Sequence, residues 1–388
     1  MFRTLSDEGK DDLLSRGYSR RHMLRAAMLV GGGATALAMH PEMAFAEAPS
    51  RGLVRIALNE CWTGPMAPGA KAAADVIAQC NRYSPHEERS KLIKAIAMME
   101  KVPEDRIVPW PGSNEALART VVAFCSPTKG LVTADPTYET AGTAAKYIGA
   151  PIKAVPLTAD YRHDVKAMLA ANPKAGLYYV CSPNNPTGTL TPMADIEWLV
   201  NNKPQGSVVV VDEAYIHFTA AYPNNTATHL ITQGKDVVVL RTFSKIFGMA
   251  GMRVGFAMGR PDLLAKLNMH DGGALNTDLP IPSVACATAS LTQASLIAER
   301  RKQLNEVRGM TVDFLKKQNL RLILPTETNM LMVDWKTKTA HEMQTAFRAQ
   351  GVEISRTFPA WPTVSRITIG SKADMEGFFS ACKKVVSA

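Results

Sequence analysis

An α/β fold, with a mostly parallel sheet flanked by helices and a smaller α+β domain after it, is what this 388-residue sequence predicts on three observations. Between about residues 107 and 260, short apolar β-branched runs alternate with polar loops and helix-periodic stretches. Such alternation is the pattern of strand–helix–strand units, whose parallel strands are buried on both faces. Each run ends abruptly in glycine, polar or aromatic residues, and sheets of this kind bind ligands at the carboxyl ends of their strands. Beyond residue 285 the order changes to one long helical stretch, Leu291 to Lys317, and then short strands separated by helices.

Taken in order, the chain opens with a segment that reads as a leader outside the fold. Ser19-Arg20-Arg21-His22-Met23-Leu24-Arg25 fits a twin-arginine consensus, a small-residue apolar stretch runs from Ala26 to Ala38, and Ala44-Phe45-Ala46 fits an A-x-A cleavage site. That order of charge, apolar stretch and cleavage site predicts export, to the periplasm, with residues 1–46 removed. The apolar stretch is too short for a permanent span. Val54 to Glu60 follows as an extended segment ending in polar residues, Gly64-Pro65 and Pro68-Gly69 read as turns, and Ala70 to Cys80 and Ser90 to Lys101 read as helices.

The repeating units come next. Ile107–Trp110 leads into Pro111 to Glu115 and a helix to Phe124; Gly130–Thr133 leads into Asp135 to Tyr138 and a helix to Gly149. Gly176–Val180 leads into Ser182 to Gly188 and a helix from Met193 to Val200, Ser207–Val211 into Asp212 to Tyr215, and Val237–Leu240 into Arg241, Thr242, Ser244 and Lys245. In the last part Leu322–Leu324, Met330–Val333 and Arg366–Ile369 read as strands, and Ala340 to Gln350 and Ala373 to Val386 as helices. Four regions result: 1–46 the leader, 47–90 an N-terminal segment joining the small domain, 91–285 the large cofactor-binding domain, and 286–388 the small C-terminal domain.

The net charge of +9, from 44 Lys+Arg against 35 Asp+Glu, is spread without a block of like charges, so no nucleic-acid stripe is present. Six scattered cysteines without a CxxC pair speak against a metal site and leave any disulfide undecided. Cys61, Cys181, His217 and His270 read as packing or solvated residues.

The strand ends supply one lysine, an aspartate, tyrosines, asparagines, a Gly-Ser helix start at Gly112-Ser113 and an arginine near hydroxyls. Pyridoxal 5'-phosphate requires that set: an amine for a Schiff base, a carboxylate for its ring nitrogen, and donors for its phenolic and phosphate oxygens. Alone, Asp212 is equally a helix cap, Tyr138 a core aromatic and Arg366 a surface strand residue; those readings predict no shared order or spacing.

Ser182-Pro183-Asn184-Asn185-Pro186-Thr187-Gly188, Asp212-Glu213-Ala214-Tyr215 and Thr242 to Gly255, together with Gly112 to Glu115, Pro136 to Tyr138, Asn81 to Tyr83 and Arg366 to Gly370, occur in one order along nearly the whole chain after the leader. In these motifs the sequence resembles the fold type I pyridoxal-phosphate-dependent aminotransferases (class I/II), most closely their histidinol-phosphate aminotransferase-like branch. The resemblance implies a seven-stranded-type sheet, a homodimer with shared active sites, and ping-pong transfer of an amino group between an L-amino acid, or a histidinol-phosphate-like amine, and a 2-oxo acid. It implies Lys245 as Schiff-base lysine and proton-transfer base, Asp212 at the ring nitrogen, Asn185 and Tyr215 at the phenolic oxygen, and Tyr138 stacked on the ring. Ser113, Asn114, Thr242, Ser244 and Arg253 would hold the phosphate, with Tyr83 reaching the neighbouring subunit's cofactor. Arg366 would grip the substrate carboxylate, with Asn329 nearby.

Two stretches depart from the branch. Cys61-Trp62-Thr63 stands where it has Asn-Pro-Tyr, and Arg356 with Phe358-Pro359-Ala360-Trp361-Pro362 replaces the usual segment before Arg366. Trp62 and Arg356 are therefore candidate substrate residues, and decarboxylation, lyase or oxidase chemistry on the same cofactor site, or a non-catalytic cofactor-binding protein, are the alternatives.

Overall fold

The structure, a computed structural model, describes residues 7–19, 52–83, 86–269 and 278–387. The described chain begins with helix α1 (Asp7–Ser15), strand β1 (Val54–Ile56), and helices α2 (Ala67–Asp75) and α3 (His86–Glu100). The alternating part follows: β2 (Ile107–Trp110), α4 (Ser113–Phe124), β3 (Leu131–Asp135), α5 (Thr140–Ile148), β4 (Ile152–Pro156), α6 (Val165–Ala171), β5 (Leu177–Cys181), α7 (Met193–Asn202), β6 (Val208–Asp212), α8 (Thr228–Thr232), β7 (Val237–Thr242), β8 (Gly255–Gly259) and α9 (Pro261–Asn268). The rest comprises α10 (Ile281–Leu291), α11 (Ala294–Lys317), β9 (Arg321–Ile323), β10 (Met330–Asp334), α12 (Ala340–Ala349), β11 (Val352–Ile354), β12 (Val364–Thr368) and α13 (Lys372–Ser387).

Seven strands form one sheet in the order β2-β8-β7-β6-β5-β3-β4. Only β8 runs against its neighbours β7 and β2, so the strand ends at Trp110, Asp135, Cys181, Asp212 and Thr242 share one edge. The valine runs explain why this sheet is sandwiched. Val209 and Val211 join the core on one face, Val208 and Val210 the core on the other, and all four are buried. Alternate side chains leave a strand on opposite faces, so a run that is apolar throughout must be covered twice. The C-terminal elements build a three-stranded sheet, β12-β10-β9, and β1 pairs in parallel with β11, from Val54 opposite Val352 to Ile56 opposite Ile354. The start of the N-terminal segment thus pairs with a C-terminal strand.

Several expectations change. Pro68-Gly69 is not a turn: α2 starts at Ala67 and carries Pro68 in its first turn, where a missing N–H removes no helical bond. Gly69 is required there because a Cβ would run into Ser290 and the Cys286 carbonyl of α10. The long C-terminal stretch is α11 (Ala294–Lys317), shorter at its start than read: Leu291 ends the apolar α10, which α11 leaves at 86°. Strands β4, β8 and β11, absent from the sequence reading, complete the sheets.

Part of the presumed leader packs on the fold. Leu13 and Tyr18 are buried among α4, Leu131 and Leu177, and Arg16 donates to the carbonyls of Val122 (2.9 Å) and Cys125 (2.5 Å). Tyr18 adds a 2.5 Å bond from its hydroxyl to the Cys125 carbonyl. Carbonyls at a helix C-terminus lack intrahelical donors, and a cation there answers both their hydrogen bonding and the helix dipole. The twin-arginine pair, the apolar stretch, the cleavage site and His270 lie outside the described residues. No described helix is by itself long and apolar enough to cross a membrane.

Candidate active site

The shared edge of the sheet gathers the predicted residues. Strand β7 delivers Thr242 and then Ser244 and Lys245 from a buried valine run. Thr242 donates to Ser244 Oγ at 2.9 Å and accepts the Ser244 N–H at 3.1 Å, which ties the turn before the lysine. Arg241, read with these as a rim residue, instead lies fully buried between Glu100 (2.9 Å) and Glu213 (2.7 Å).

A small anion cradle forms where α4 starts. Gly112, with φ +86°, precedes Ser113, and a Cβ on it would collide with the Arg253 guanidinium. A Cβ on Gly255 would stand 2.5 Å from the Ser113 nitrogen, so both glycines are needed for the approach. Arg253 itself takes a left-handed φ of 54° and reaches Ser244 Oγ at 3.5 Å. N–H groups at the start of a helix, an arginine and hydroxyls together suit a phosphate. Asn114 accepts a 2.7 Å bond from Tyr138, which places that aromatic ring beside the cradle.

Asp212 closes β6 as a buried carboxylate. It accepts from Tyr179 at 2.9 Å and from the Ala214 N–H at 3.1 Å, with no cation in ion-pair contact among the described residues. Burial raises its pKa to about 6, against the pull of those two donors. Lys245 donates to the Asn59 carbonyl at 3.1 Å and stands 5.2 Å above the Tyr215 ring. Its desolvated surroundings first, then Arg366 and Arg253, push its pKa down to about 8, while Glu60 and Asp212 pull it up. An amine so depressed exchanges protons near neutral pH.

Arg366, on β12, is buried and oriented by Asn185 Oδ1 at 2.7 Å and the Ala57 carbonyl at 2.6 Å. Among the described residues its Nε has no partner, and neither has the buried Oδ1 of Asn329, whose Nδ2 donates to the Glu60 carbonyl at 3.1 Å. Tyr215 is buried and accepts from Asn59 Nδ2 at 3.0 Å; burial pushes its phenol upward. Of the remaining candidates, only Arg356 adjoins this cluster, across the Phe358 ring from Arg366. Trp62 is half-buried against the main core, Arg356 pairs with Glu139 at 2.5 Å, and Tyr83 is 88% exposed, outside the pocket of its own chain.

Nothing in the sequence marked Tyr179 or Asn59 as site residues. Tyr179 is hidden in an apolar strand, and only the register of β5 on β6, with Tyr179 opposite Val210 and Cys181 opposite Asp212, brings its phenol within reach of Asp212. Asn59 belonged to a segment read for its departure at Cys61-Trp62; its tie to Thr368, 309 residues away, is tertiary.

The fold and this cluster define a class of enzyme, and the comparisons agree. The family described as "Aminotransferase class I and II" matches residues 52–381. A histidinol-phosphate aminotransferase of Moorella thermoacetica is 31% identical over 341 residues, 86% of this chain and 86% of the relative. An aromatic amino acid aminotransferase of Corynebacterium glutamicum is 32% identical over 321 residues, 82% of this chain and 90% of the relative. In fold, the chain matches a histidinol-phosphate aminotransferase from Sinorhizobium meliloti in complex with pyridoxal-5'-phosphate, with TM-score 0.78 and 23% identity over 90% and 94% of the two chains. The chain belongs to the class I and II aminotransferases. It is a pyridoxal-phosphate-dependent transaminase of fold type I.

Proposed function

We propose that this transaminase exchanges the amino group of an L-α-amino acid with an uncharged, aromatic side chain for the oxygen of a 2-oxo acid. The reading rests on Lys245, which shares its electrostatic neighbourhood with Arg366, Arg253 and Asp212. When bound, pyridoxal 5'-phosphate supplies a ring that draws electrons from the substrate Cα. The α4 N-terminus at Ser113, with Asn114, Thr242, Ser244 and Arg253, would hold its phosphate; Asp212 would hold its ring nitrogen, Asn185 and Tyr215 its phenolic oxygen, and Tyr138 its ring face. Lys245 would be the attachment point and the base that moves the proton at the substrate Cα. Arg366, whose Nε is unpartnered, would take the α-carboxylate.

The side-chain preference follows from Arg356. Its guanidinium is neutralised by Glu139 at 2.5 Å and stacks 4.8 Å from the Phe358 ring, a ring that also lies 5.9 Å from Arg366. A substrate phosphate would compete with Glu139 for that guanidinium, whereas an aromatic side chain would not. Absorbance-monitored titration of the loaded enzyme tests this. L-Phenylalanine and L-tyrosine should convert it at submillimolar concentration, the usual KM range, and L-histidinol phosphate should not; the reverse order would assign the phosphorylated amine.

The assembly proposed is a homodimer, supported by Tyr83, which is left exposed by the described residues of its own chain. Export by the twin-arginine route is proposed from the order of Ser19 to Arg25, the apolar stretch and Ala44-Phe45-Ala46. Cell fractionation of the Arg20→Lys/Arg21→Lys variant, retained inside the cell if the reading holds, tests it.

A further inference from the structure

Asn59 makes more contacts within the site than its place in a short N-terminal segment predicts. It is 1% exposed and takes a left-handed φ of 55°, a conformation that asparagine tolerates better than most residues. That backbone turns its carbonyl to Lys245 Nζ at 3.1 Å. Its N–H donates to Thr368 Oγ1 at 2.9 Å, and the Thr368 hydroxyl donates back to Asn59 Oδ1 at 3.0 Å. The amide nitrogen then faces Tyr215 Oη at 3.0 Å and Met330 Sδ at 3.5 Å. A thioether can only accept, which orients the amide with its N–H groups toward Tyr215.

The direction of that bond matters chemically. A phenol that accepts from an amide keeps its own proton for another acceptor. Among the described residues no group accepts the Tyr215 proton. We propose that Asn59 is a positioning residue for the transamination site: its amide makes Tyr215 a donor toward the ligand, and its left-handed carbonyl holds the amine of Lys245. The inference rests on the reading that Tyr215 meets the phenolic oxygen of the cofactor. A proton donated there favours the deprotonated form of the bound cofactor and lowers the pH midpoint of its absorbance. The charged and titratable groups around Tyr215 are Arg366, Lys245, Asp212, Cys181 and Tyr138; those around Lys245 are Arg366, Arg253, Glu60, Asp212 and Tyr215.

The test compares Asn59→Asp, Asn59→Gly, Tyr215→Phe and Asn59→Asp/Tyr215→Phe as loaded enzymes, reading the pH midpoint of cofactor absorbance and the cofactor Kd. Asparagine to aspartate keeps shape and tolerance of positive φ but replaces the amide donor by a carboxylate that recaptures the Tyr215 proton. Glycine keeps the backbone and its carbonyl and removes the amide altogether. The expected order of midpoints is aspartate highest, then glycine, then wild type, with the Asn59→Asp shift about one unit. In the Tyr215→Phe background that shift should fall by more than half, because the charge of the carboxylate persists and the redirected proton does not. A packing role predicts the opposite order, with glycine the more disturbed. An unmoved Asn59→Asp midpoint, or an equal shift in both backgrounds, overturns the role of Asn59. An unmoved midpoint in Tyr215→Phe alone overturns the underlying assignment of Tyr215 and the inference with it.

Discussion

The Tyr179 hydroxyl donates to Asp212 Oδ2 at 2.9 Å from the neighbouring strand. Cys181 is the residue directly opposite Asp212, so Tyr179, two positions earlier, reaches it diagonally on the same face of the sheet. Removing this donor takes away a stabiliser of the ionised carboxylate. Tyr179→Phe should raise the Asp212 pKa further, by about one unit for a bond to a charged group. The acid limb of the kcat/KM profile should move up in pH by that amount, with the alkaline limb unmoved.

Arg366 holds its planar fork between Asn185 and Ala57. Lysine offers one point charge in place of that geometry, so Arg366→Lys should lower kcat/KM for amino donors about 30- to 100-fold, the equivalent of about 2 to 3 kcal/mol. The loss should appear mainly in KM, measured with donors of different side chain.

Arg241 is a different kind of arginine. It joins Glu100 of α3 to Glu213, the residue after Asp212, and all three are buried. Arg241→Ala would leave two carboxylates in the interior without their cation. Breaking such a pair costs about 3 to 5 kcal/mol, which denaturant unfolding should show as a lower midpoint.

His163 lies buried behind the two loops that carry Tyr138 and Asn185. Its Nε2 stands 3.2 Å from Asn184 Oδ1, an acceptor that Thr137 also reaches at 2.7 Å. Burial lowers its pKa to about 4 from 6.5, so the folded protein keeps it neutral. A group depressed in this way is protonated more readily by the unfolded chain. Its contribution is intact above pH 6.5 and is lost as pH falls toward 4, by about 3 kcal/mol in full. Asp212, with a raised pKa, acts in the opposite sense over pH 4 to 6, so the comparison is between wild type and His163→Gln. The loss of stability between pH 7 and 4.5 should be smaller in the variant.

The arm formed by α1 and Tyr18 depends on Arg16 at the C-terminus of α4. Arg16→Ala should weaken its docking by about 1 to 2 kcal/mol. In the chain that still carries residues 1–46, chymotryptic cleavage at Leu13 or Tyr18 should then be about tenfold faster, with the rest of the chain unchanged.

What the sequence by itself determined is the sheet and the chemistry at its edge. Runs such as Val208–Val211 and Val237–Leu240 read as strands covered on both faces, and the residues that follow them fall at one edge of the sheet. Lys245, Asp212, Ser113 and Arg253 are candidates for that reason, on local sequence alone. Tertiary structure alone decided which polar groups act on one another. Tyr179 looks like any core residue until strand register brings it to Asp212, and Asn59 acquires its role only from Thr368 and Tyr215, far away in the chain. Arg241 and Arg356 carry the same warning in reverse. Each reads as a free cation in sequence, yet packing supplies Glu100 and Glu213 to one and Glu139 to the other. A local pattern reports what a side chain can do, and only the fold places the partner that decides whether it does.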